Sequence, residues 1–161
     1  MPADQDPLIH LWATQAPTLT PAAAAFSHAV YEKSTLPLRE FEAARYTIAG
    51  INDCTLCQNW RSARDVKSRQ EDDDPPGEDF YDHIGDPSWE GYSERERLCI
   101  EFARAFATDH LSMGDDLWHR LHAHFSDTEL VELGLCVGAW IAFGRLNRVF
   151  DVDGACRIPG F

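Results

Sequence analysis

The chain has 161 residues, of which 44% are hydrophobic, and a formal net charge of −13 at pH 7. This length and composition predict one globular domain, 1–161, with a buried core rather than a disordered chain. The acidic surplus argues against nucleic acid as a partner, because no basic stripe is present to neutralise phosphates. Five cysteines are an odd number and too few for a disulfide-stapled scaffold. We therefore expect a cytoplasmic protein, and the opening residues show no signal-peptide pattern.

Helix signals dominate the chain, and no strand alternation is found, so we predict an all-α fold with a single helical bundle. Thr20 and Pro21 have the pattern of an N-cap followed by proline at the first helical position. Pro37 begins a second helix, which we expect to end near Gly50. Asn52 or Asp53 can cap a third helix over residues 54–69.

The second half of the chain begins with an acidic stretch at 71–92, which we interpret as a solvated loop. Residues 71–90 hold nine of the 27 acidic residues and no Lys or Arg. Ser93 and Ser126 each open a capping-box pattern, and a short amphipathic helix is expected over 115–125. Leu130 to Phe150 is a long apolar segment, but its uncharged part is too short to span a membrane. It fits a central buried helix or an oligomer interface.

The motif with the most definite chemistry is Cys54-Thr55-Leu56-Cys57. Residues three apart on a helix share a face, and their Cα atoms lie roughly 5 Å apart, which suits a disulfide. Both cysteines would fall in the first turn of the third helix, where unpaired N–H groups favour a thiolate. We expect Cys54 to be the more exposed thiol and Cys57 to face the core. The pattern favours a redox pair.

Two other interpretations of the CxxC remain open, a zinc site and an inert pair. Zinc sites usually need a second ligand pair, and the other cysteines form no second CxxC. The histidines that could supply ligands lie about 60 residues downstream. The candidate zinc ligands outside the CxxC are Cys99, Cys136, Cys156, His119, His122 and His124.

Glu42 and Arg61 lie on either side of the CxxC. Glu42 is in the preceding helix and can approach the first turn of the next one if the two helices pack antiparallel. Its sequence position alone would favour a surface carboxylate. Arg61 lies four residues after Cys57 and on the same stripe of the third helix.

These elements resemble the carboxymuconolactone decarboxylase family, and in particular its alkylhydroperoxidase-D-like branch. The resemblance covers roughly 36–152, and its most specific part is the Glu-x11-Cys-x2-Cys spacing. The segments YSERERLCIEFARAFA and HFSDTELVEL…RLNRVF support it. It implies an all-helical fold that assembles as a dimer, trimer or hexamer. It argues against lactone decarboxylation, because the decarboxylases of the family lack the CxxC.

The resemblance also implies a chemistry, which is thiol-disulfide exchange and peroxidase activity. Cys57 would attack the peroxide, Cys54 would resolve the intermediate, and Glu42 would start a proton relay. The redox group would be the Cys54–Cys57 disulfide, with no bound cofactor or metal. The partners would be a peroxide substrate and a thiol or dithiol-protein reductant, with no membrane and no nucleic acid.

The sequence departs from the family pattern at Arg61, where the relay usually ends in a histidine. An arginine cannot shuttle protons, because its pKa stays above roughly 12, although its charge can stabilise a thiolate. Glu42 and Arg61 are therefore expected to form an ion pair. His110, after a predicted helix end, could replace the missing base or could be a structural cap. The competing function is a catalytically weakened, redox-sensing or structural oligomeric module.

Overall fold

The computed structural model describes residues 13–151, which form helices joined by turns and contain no β-strand. The helices, in chain order, are α1 (Thr20–Lys33), α2 (Leu38–Ile51), α3 (Thr55–Asn59), α4 (Ser62–Asp65), α5 (Glu78–Asp82), α6 (Glu94–Thr108), α7 (Asp115–His124) and α8 (Asp127–Phe150). Short 3-10 turns cover Lys67–Arg69 and His110–Ser112. The predicted all-α class is confirmed. The N-terminal residues considered for a signal peptide lie mostly outside the described residues, as does Cys156.

The central element is α2, which packs against both α6 and α8. Most of its apolar side chains are buried in one core with those of the two neighbouring helices, for example Phe41, Ile48, Leu98, Leu133 and Val137. Apolar residues at helical spacing on three helices thus meet in a common interior. The CxxC follows the C-terminal end of α2 directly, so this core fixes the position of the motif.

Both predicted capping boxes are present. The Ser93 and Ser126 hydroxyls each accept a hydrogen bond from the backbone N–H three residues later, and the Glu96 and Glu129 carboxylates accept one from the backbone N–H of the cap residue. The prediction that Thr20 is the N-cap of α1 is wrong. Leu19 is the N-cap, and the Thr20 hydroxyl donates to a backbone carbonyl one turn earlier. The caps of α6 and α8 thus follow the local sequence pattern.

The long helix α8 has the position expected for the apolar segment. It is buried along one side but exposes Val131 and Leu135, which are 64% and 55% exposed. Among residues 13–151, no helix is long and apolar enough to cross a membrane.

The acidic stretch is not wholly a solvated loop. It contains α5, and three of its aromatic residues, Phe80, Tyr81 and Tyr92, are buried in the core. The Tyr92 hydroxyl donates to the Phe80 carbonyl at 2.5 Å. The acidic side chains dominate the composition of this stretch, but the aromatic side chains between them anchor it.

Helix α2 ends one residue beyond Gly50. The N–H of Asp53 bonds to Gly50 O and that of Cys54 to Ala49 O, both at 3.1 Å, which is the Schellman pattern. The left-handed residue of this motif is Asp53, with φ of 49°, and not the glycine. Aspartate tolerates this conformation better than most residues. The turn brings Cys54 directly under the end of α2.

Candidate functional site

The two cysteines of the motif are joined by a disulfide, with Cα atoms 5.2 Å apart. Cys54 closes the Schellman turn of α2 and is also the N-cap of α3, because its Sγ accepts a hydrogen bond from the Cys57 N–H at 3.2 Å. The same residue therefore ends one helix and begins the next. The backbone supplies a donor to sulfur at this position, as the sequence predicted for a helix N-terminus.

The exposure of the two cysteines is the reverse of the expected order. Cys54 is 1% exposed, whereas Cys57 is half-buried and lines a cavity. The reason is the Schellman turn, which carries Cys54 inward against α8, where Asn147 contacts its sulfur. The accessible sulfur of the pair is thus Cys57.

The third helix is not continuous over 54–69. It stops at Asn59, and Trp60 and Arg61 are extended. The buried Arg45 guanidinium donates from Nη1 to the Cys57 carbonyl at 2.7 Å and from Nη2 to the Trp60 carbonyl at 2.9 Å. Carbonyls that a continuous helix would satisfy internally therefore find their donors on α2.

Glu42 is fully buried and not a surface carboxylate. Its Oε1 accepts from Arg45 Nε at 2.5 Å and from Ser62 Oγ at 2.6 Å. Its Oε2 accepts from Arg45 Nη2 at 2.8 Å and from the Tyr81 hydroxyl at 2.7 Å. Burial opposes ionisation, but the charge of Arg45 and these hydrogen bonds outweigh it and lower the pKa of Glu42. The carboxylate is ionised and its acceptor positions are occupied.

Arg61 does not pair with Glu42, so the expected ion pair is wrong. Its Nη2 lies 2.8 Å from the Glu78 carboxylate, and its guanidinium lies 4.0 Å from the centre of the Tyr81 ring. Its Nη1 donates to the Gln58 carbonyl at 2.5 Å and to that of Trp60 at 2.9 Å. The cause is the break in the third helix, which removes Arg61 from the stripe that carries Cys57.

His110 lies in an exposed 3-10 turn and is not among the residues that line the cavity beside Cys57. The histidines considered for zinc, His119, His122 and His124, are exposed on α7. Within residues 13–151, no group of three or more His, Cys, Asp or Glu side chains could hold a metal ion.

The cavity beside Cys57 has a volume of about 180 Å³. Its wall is largely apolar and aromatic, with Tyr31, Ile48, Leu56, Trp60, Trp140 and Phe143. Burial of the phenol raises the pKa of Tyr31 to about 12, so this group keeps its proton at neutral pH. A small organic molecule could approach Cys57 through this mostly apolar cavity.

Asn147 is the site residue to which the sequence gave no role. Its Nδ2 lies 3.7 Å from Cys54 Sγ and 3.8 Å from Cys57 Sγ, and the side chain is buried. The available signal was a polar residue in the long apolar segment that becomes α8. That signal does not identify the CxxC as its partner, since 93 positions separate Asn147 from Cys54.

Comparison with known proteins gives a sequence match and a structural match. No family model matches the sequence. Over 70 residues the chain is 37% identical to the uncharacterised protein YnjA of Escherichia coli, a match covering 42% of this chain and 38% of YnjA. The match therefore spans well under half the length of that protein.

The structural match is to an Agrobacterium tumefaciens protein of unknown function, described as a candidate AhpD antioxidant defence protein. The TM-score is 0.69 at 25% identity, and the match covers 87% of this chain and 92% of the other. The likeness thus extends over nearly the whole helical fold, and the CxxC disulfide fits a thiol redox role. This likeness supports the resemblance to the AhpD-like branch of the carboxymuconolactone decarboxylase family that the sequence indicated.

Proposed function

We propose that the protein is a thiol-dependent peroxidase that cycles Cys54 and Cys57 between dithiol and disulfide. The observation that carries this proposal is the unequal placement of the two sulfurs. Cys57 borders a cavity large enough for a small substrate, while its disulfide partner is sealed beneath it. This difference supports a role for Cys57 in the reaction with substrate and a role for Cys54 in closing the disulfide.

The reaction that we propose uses the two sulfurs in different roles. The Cys57 thiolate attacks the terminal oxygen of a hydroperoxide, the O–O bond breaks, and the products are a sulfenic acid on Cys57 and an alkoxide that takes a proton from water. The Cys54 thiol then condenses with the sulfenic acid, which releases water and forms the disulfide. Two electrons and two protons from a dithiol, or from two thiols, restore the reduced pair.

The reductant and the assembly belong to the proposal as well. We propose that a thiol or a dithiol protein in the cytoplasm reduces the disulfide. We also propose that the chain forms a homo-oligomer, a dimer, trimer or hexamer, in part through the exposed side chains of Val131 and Leu135 on α8. Sedimentation that finds only an 18.2 kDa species at micromolar concentration would remove the oligomer from this proposal.

A second candidate function is redox sensing without turnover. The observation that favours it is the state of the expected acid–base groups. Glu42 is saturated by hydrogen bonds, Arg61 is paired with Glu78, and His110 lies outside the cavity. A sensor needs only one oxidation of the pair, whereas a peroxidase has to move protons in every cycle.

The two functions differ in peroxide consumption under excess dithiol. A peroxidase consumes many equivalents of organic hydroperoxide per protein, and a sensor consumes one. We expect turnover in the parent and none in Cys57→Ser, and, with the dithiol left out, a sulfenic acid that accumulates in Cys54→Ser. Cys136→Ala is the matched control, because Cys136 is a free, buried cysteine on α8. A single stoichiometric burst in the parent would assign the sensor function.

A further inference from the structure

Asn147 is the side chain that contacts both sulfurs of the disulfide. Its Nδ2 lies 3.7 Å from Cys54 Sγ and 3.8 Å from Cys57 Sγ. Among the described residues, it is the side chain that donates hydrogen bonds to the pair, beside the backbone N–H of Cys57. These distances suit a donor to sulfur, and such a bond strengthens when the sulfur becomes a thiolate.

The other half of the same amide has no partner. Asn147 is 5% exposed, and its Oδ1 is buried without a hydrogen bond within the described part of the chain. A buried acceptor left unpaired is unfavourable, so such groups are rare in folded proteins and call for a donor. Asn147 also lines the cavity that Cys57 borders. The missing donor can therefore come from a molecule in this cavity.

Several contacts hold α8 against the turn that carries the cysteines, and these contacts position Asn147. The Asn52 amide donates to the Trp140 carbonyl at 2.9 Å, and Arg148 Nε lies 3.1 Å from the Asp53 carboxylate. Gly144, one turn before Asn147, permits the approach, because a Cβ there would lie 2.5 Å from Asn52 Nδ2. The packing of α8 on this turn thus places the backbone of Asn147 beside the disulfide.

We propose that Asn147 is a catalytic residue of the CxxC centre. Its Nδ2–H group stabilises the Cys57 thiolate, and its Oδ1 accepts a hydrogen bond from the O–H of the hydroperoxide. The oxygen that carries this hydrogen is the one that the sulfur attacks. It stays on Cys57 as the sulfenic acid while the alkoxide leaves and takes a proton from water. The acceptor role of Oδ1 rests on the proposed peroxidase function, whereas the stabilisation of the Cys57 thiolate by Nδ2–H does not.

The first test measures the thiol pKa of Cys57 and needs no peroxide. In a Cys54→Ser background, the rate of alkylation of Cys57 by iodoacetamide is followed against pH, with mass spectrometry of the peptide. We expect Asn147→Leu to raise the thiol pKa by about 0.5–1 unit, which slows alkylation at pH 7 about three- to tenfold. Asn147→Asp, nearly isosteric, should raise it further, because a carboxylate repels the thiolate.

Ser27→Ala is the matched control for this measurement. Ser27 is a partly exposed polar residue of the same cavity wall, and no hydrogen bond joins it to either sulfur. Its removal should leave the Cys57 thiol pKa unchanged. Circular dichroism and thermal melting identify variants that fold, and Asn147→Asp carries the test if Asn147→Leu does not fold. An unchanged thiol pKa in a folded Asn147 variant would overturn the proposal.

The second test isolates the acceptor role of Oδ1. Above the measured thiol pKa, where Cys57 is fully ionised, Asn147→Leu should be alkylated at the parent rate. Its oxidation by an organic hydroperoxide should remain about tenfold slower than the parent's. Equal oxidation rates in this range would overturn the acceptor role. If the parent itself does not turn over peroxide, the peroxidase function fails, while the pKa measurement still decides whether Asn147 stabilises the thiolate.

Discussion

Arg45 donates to both carboxylate oxygens of Glu42 from Nε and Nη2, at 2.5 and 2.8 Å, and the two side chains are 2% and 0% exposed. The same guanidinium holds the carbonyls of Cys57 and Trp60. The pair thus links the middle of α2 to the backbone of the CxxC turn. The family resemblance would make Glu42 the start of a proton relay. In the structure Glu42 instead orients Arg45.

Replacement of Glu42 by glutamine should destabilise the fold. The variant leaves the Arg45 charge buried without a counter-ion, and breaking one side of a buried pair typically costs about 3–5 kcal/mol. Chemical denaturation of the parent and of Glu42→Gln measures the difference. Glu78→Gln is the control, because Glu78 also pairs with an arginine but is mostly exposed, and we expect a change below about 1 kcal/mol. Equal stability of Glu42→Gln and the parent would contradict the structural role.

The same carboxylate predicts a pH dependence. The folded-state pKa of Glu42 is lowered, so its ionised form stabilises the fold above the unfolded pKa, and this contribution is lost as the pH falls through the folded value. The parent should therefore lose stability between neutral pH and the acidic range more steeply than Glu42→Gln. Thermal melting of both proteins against pH measures the two slopes. Parallel curves would show that Glu42 does not titrate as described.

Gly144 gives a test of the packing of α8 on the CxxC turn. A Cβ there would lie 2.5 Å from Asn52 Nδ2, so Gly144→Ala should displace the amide that bonds to the Trp140 carbonyl. We expect a loss of about 1–3 kcal/mol. In Gly134→Ala, on the same helix, the new Cβ has no neighbour within 4 Å. The higher helix propensity of alanine should therefore stabilise this variant, by about 1 kcal/mol at most. Chemical denaturation should show a lower free energy of unfolding for Gly144→Ala and a higher one for Gly134→Ala. A stabilised Gly144→Ala would contradict the close approach of Gly144 to Asn52.

Reduced protein should be labelled at Cys57 before Cys54. Cys57 borders the cavity, whereas Cys54 is 1% exposed. The buried Cys99 and Cys136 should react slowest, because burial raises their thiol pKa, that of Cys136 to about 11. Brief alkylation after reduction, followed by peptide fragmentation that separates the two motif cysteines, measures the order. Preferential labelling of Cys54 would reverse our assignment of the accessible sulfur.

The sequence predicted those features that depend on neighbouring residues. The capping boxes at Ser93 and Ser126 and the helix start at Pro37 need only a few positions, and each is present where expected. The disulfide spacing is local as well. The burial of Cys54 and the break after Asn59 were missed. The burial of Cys54 depends on the turn that packs it against α8, and the break leaves the Cys57 and Trp60 carbonyls to accept from Arg45. Contacts of this kind join distant segments and leave no periodic trace in the chain.

Arg61→His gives the last prediction, and the structure removes the gain in turnover that the sequence alone would suggest. From the sequence, a histidine oriented by Glu42 would restore the missing relay and speed peroxide turnover. In the structure, Glu42 already accepts from Arg45, Ser62 and Tyr81, so it has no free position to orient an imidazole. The substitution also removes the donors to the Gln58 and Trp60 carbonyls.

We therefore expect Arg61→His to show no gain in turnover, no new pH dependence near neutrality, and a loss of about 1–2 kcal/mol in stability. Turnover with an organic hydroperoxide between pH 6 and 8, together with chemical denaturation, measures both effects. His110→Ala serves as the control for another histidine, since His110 is exposed and outside the cavity, and it should match the parent in both measurements. Faster turnover in Arg61→His, with a transition near pH 6.5, would show that an imidazole at this position reaches Cys57 despite the occupied carboxylate.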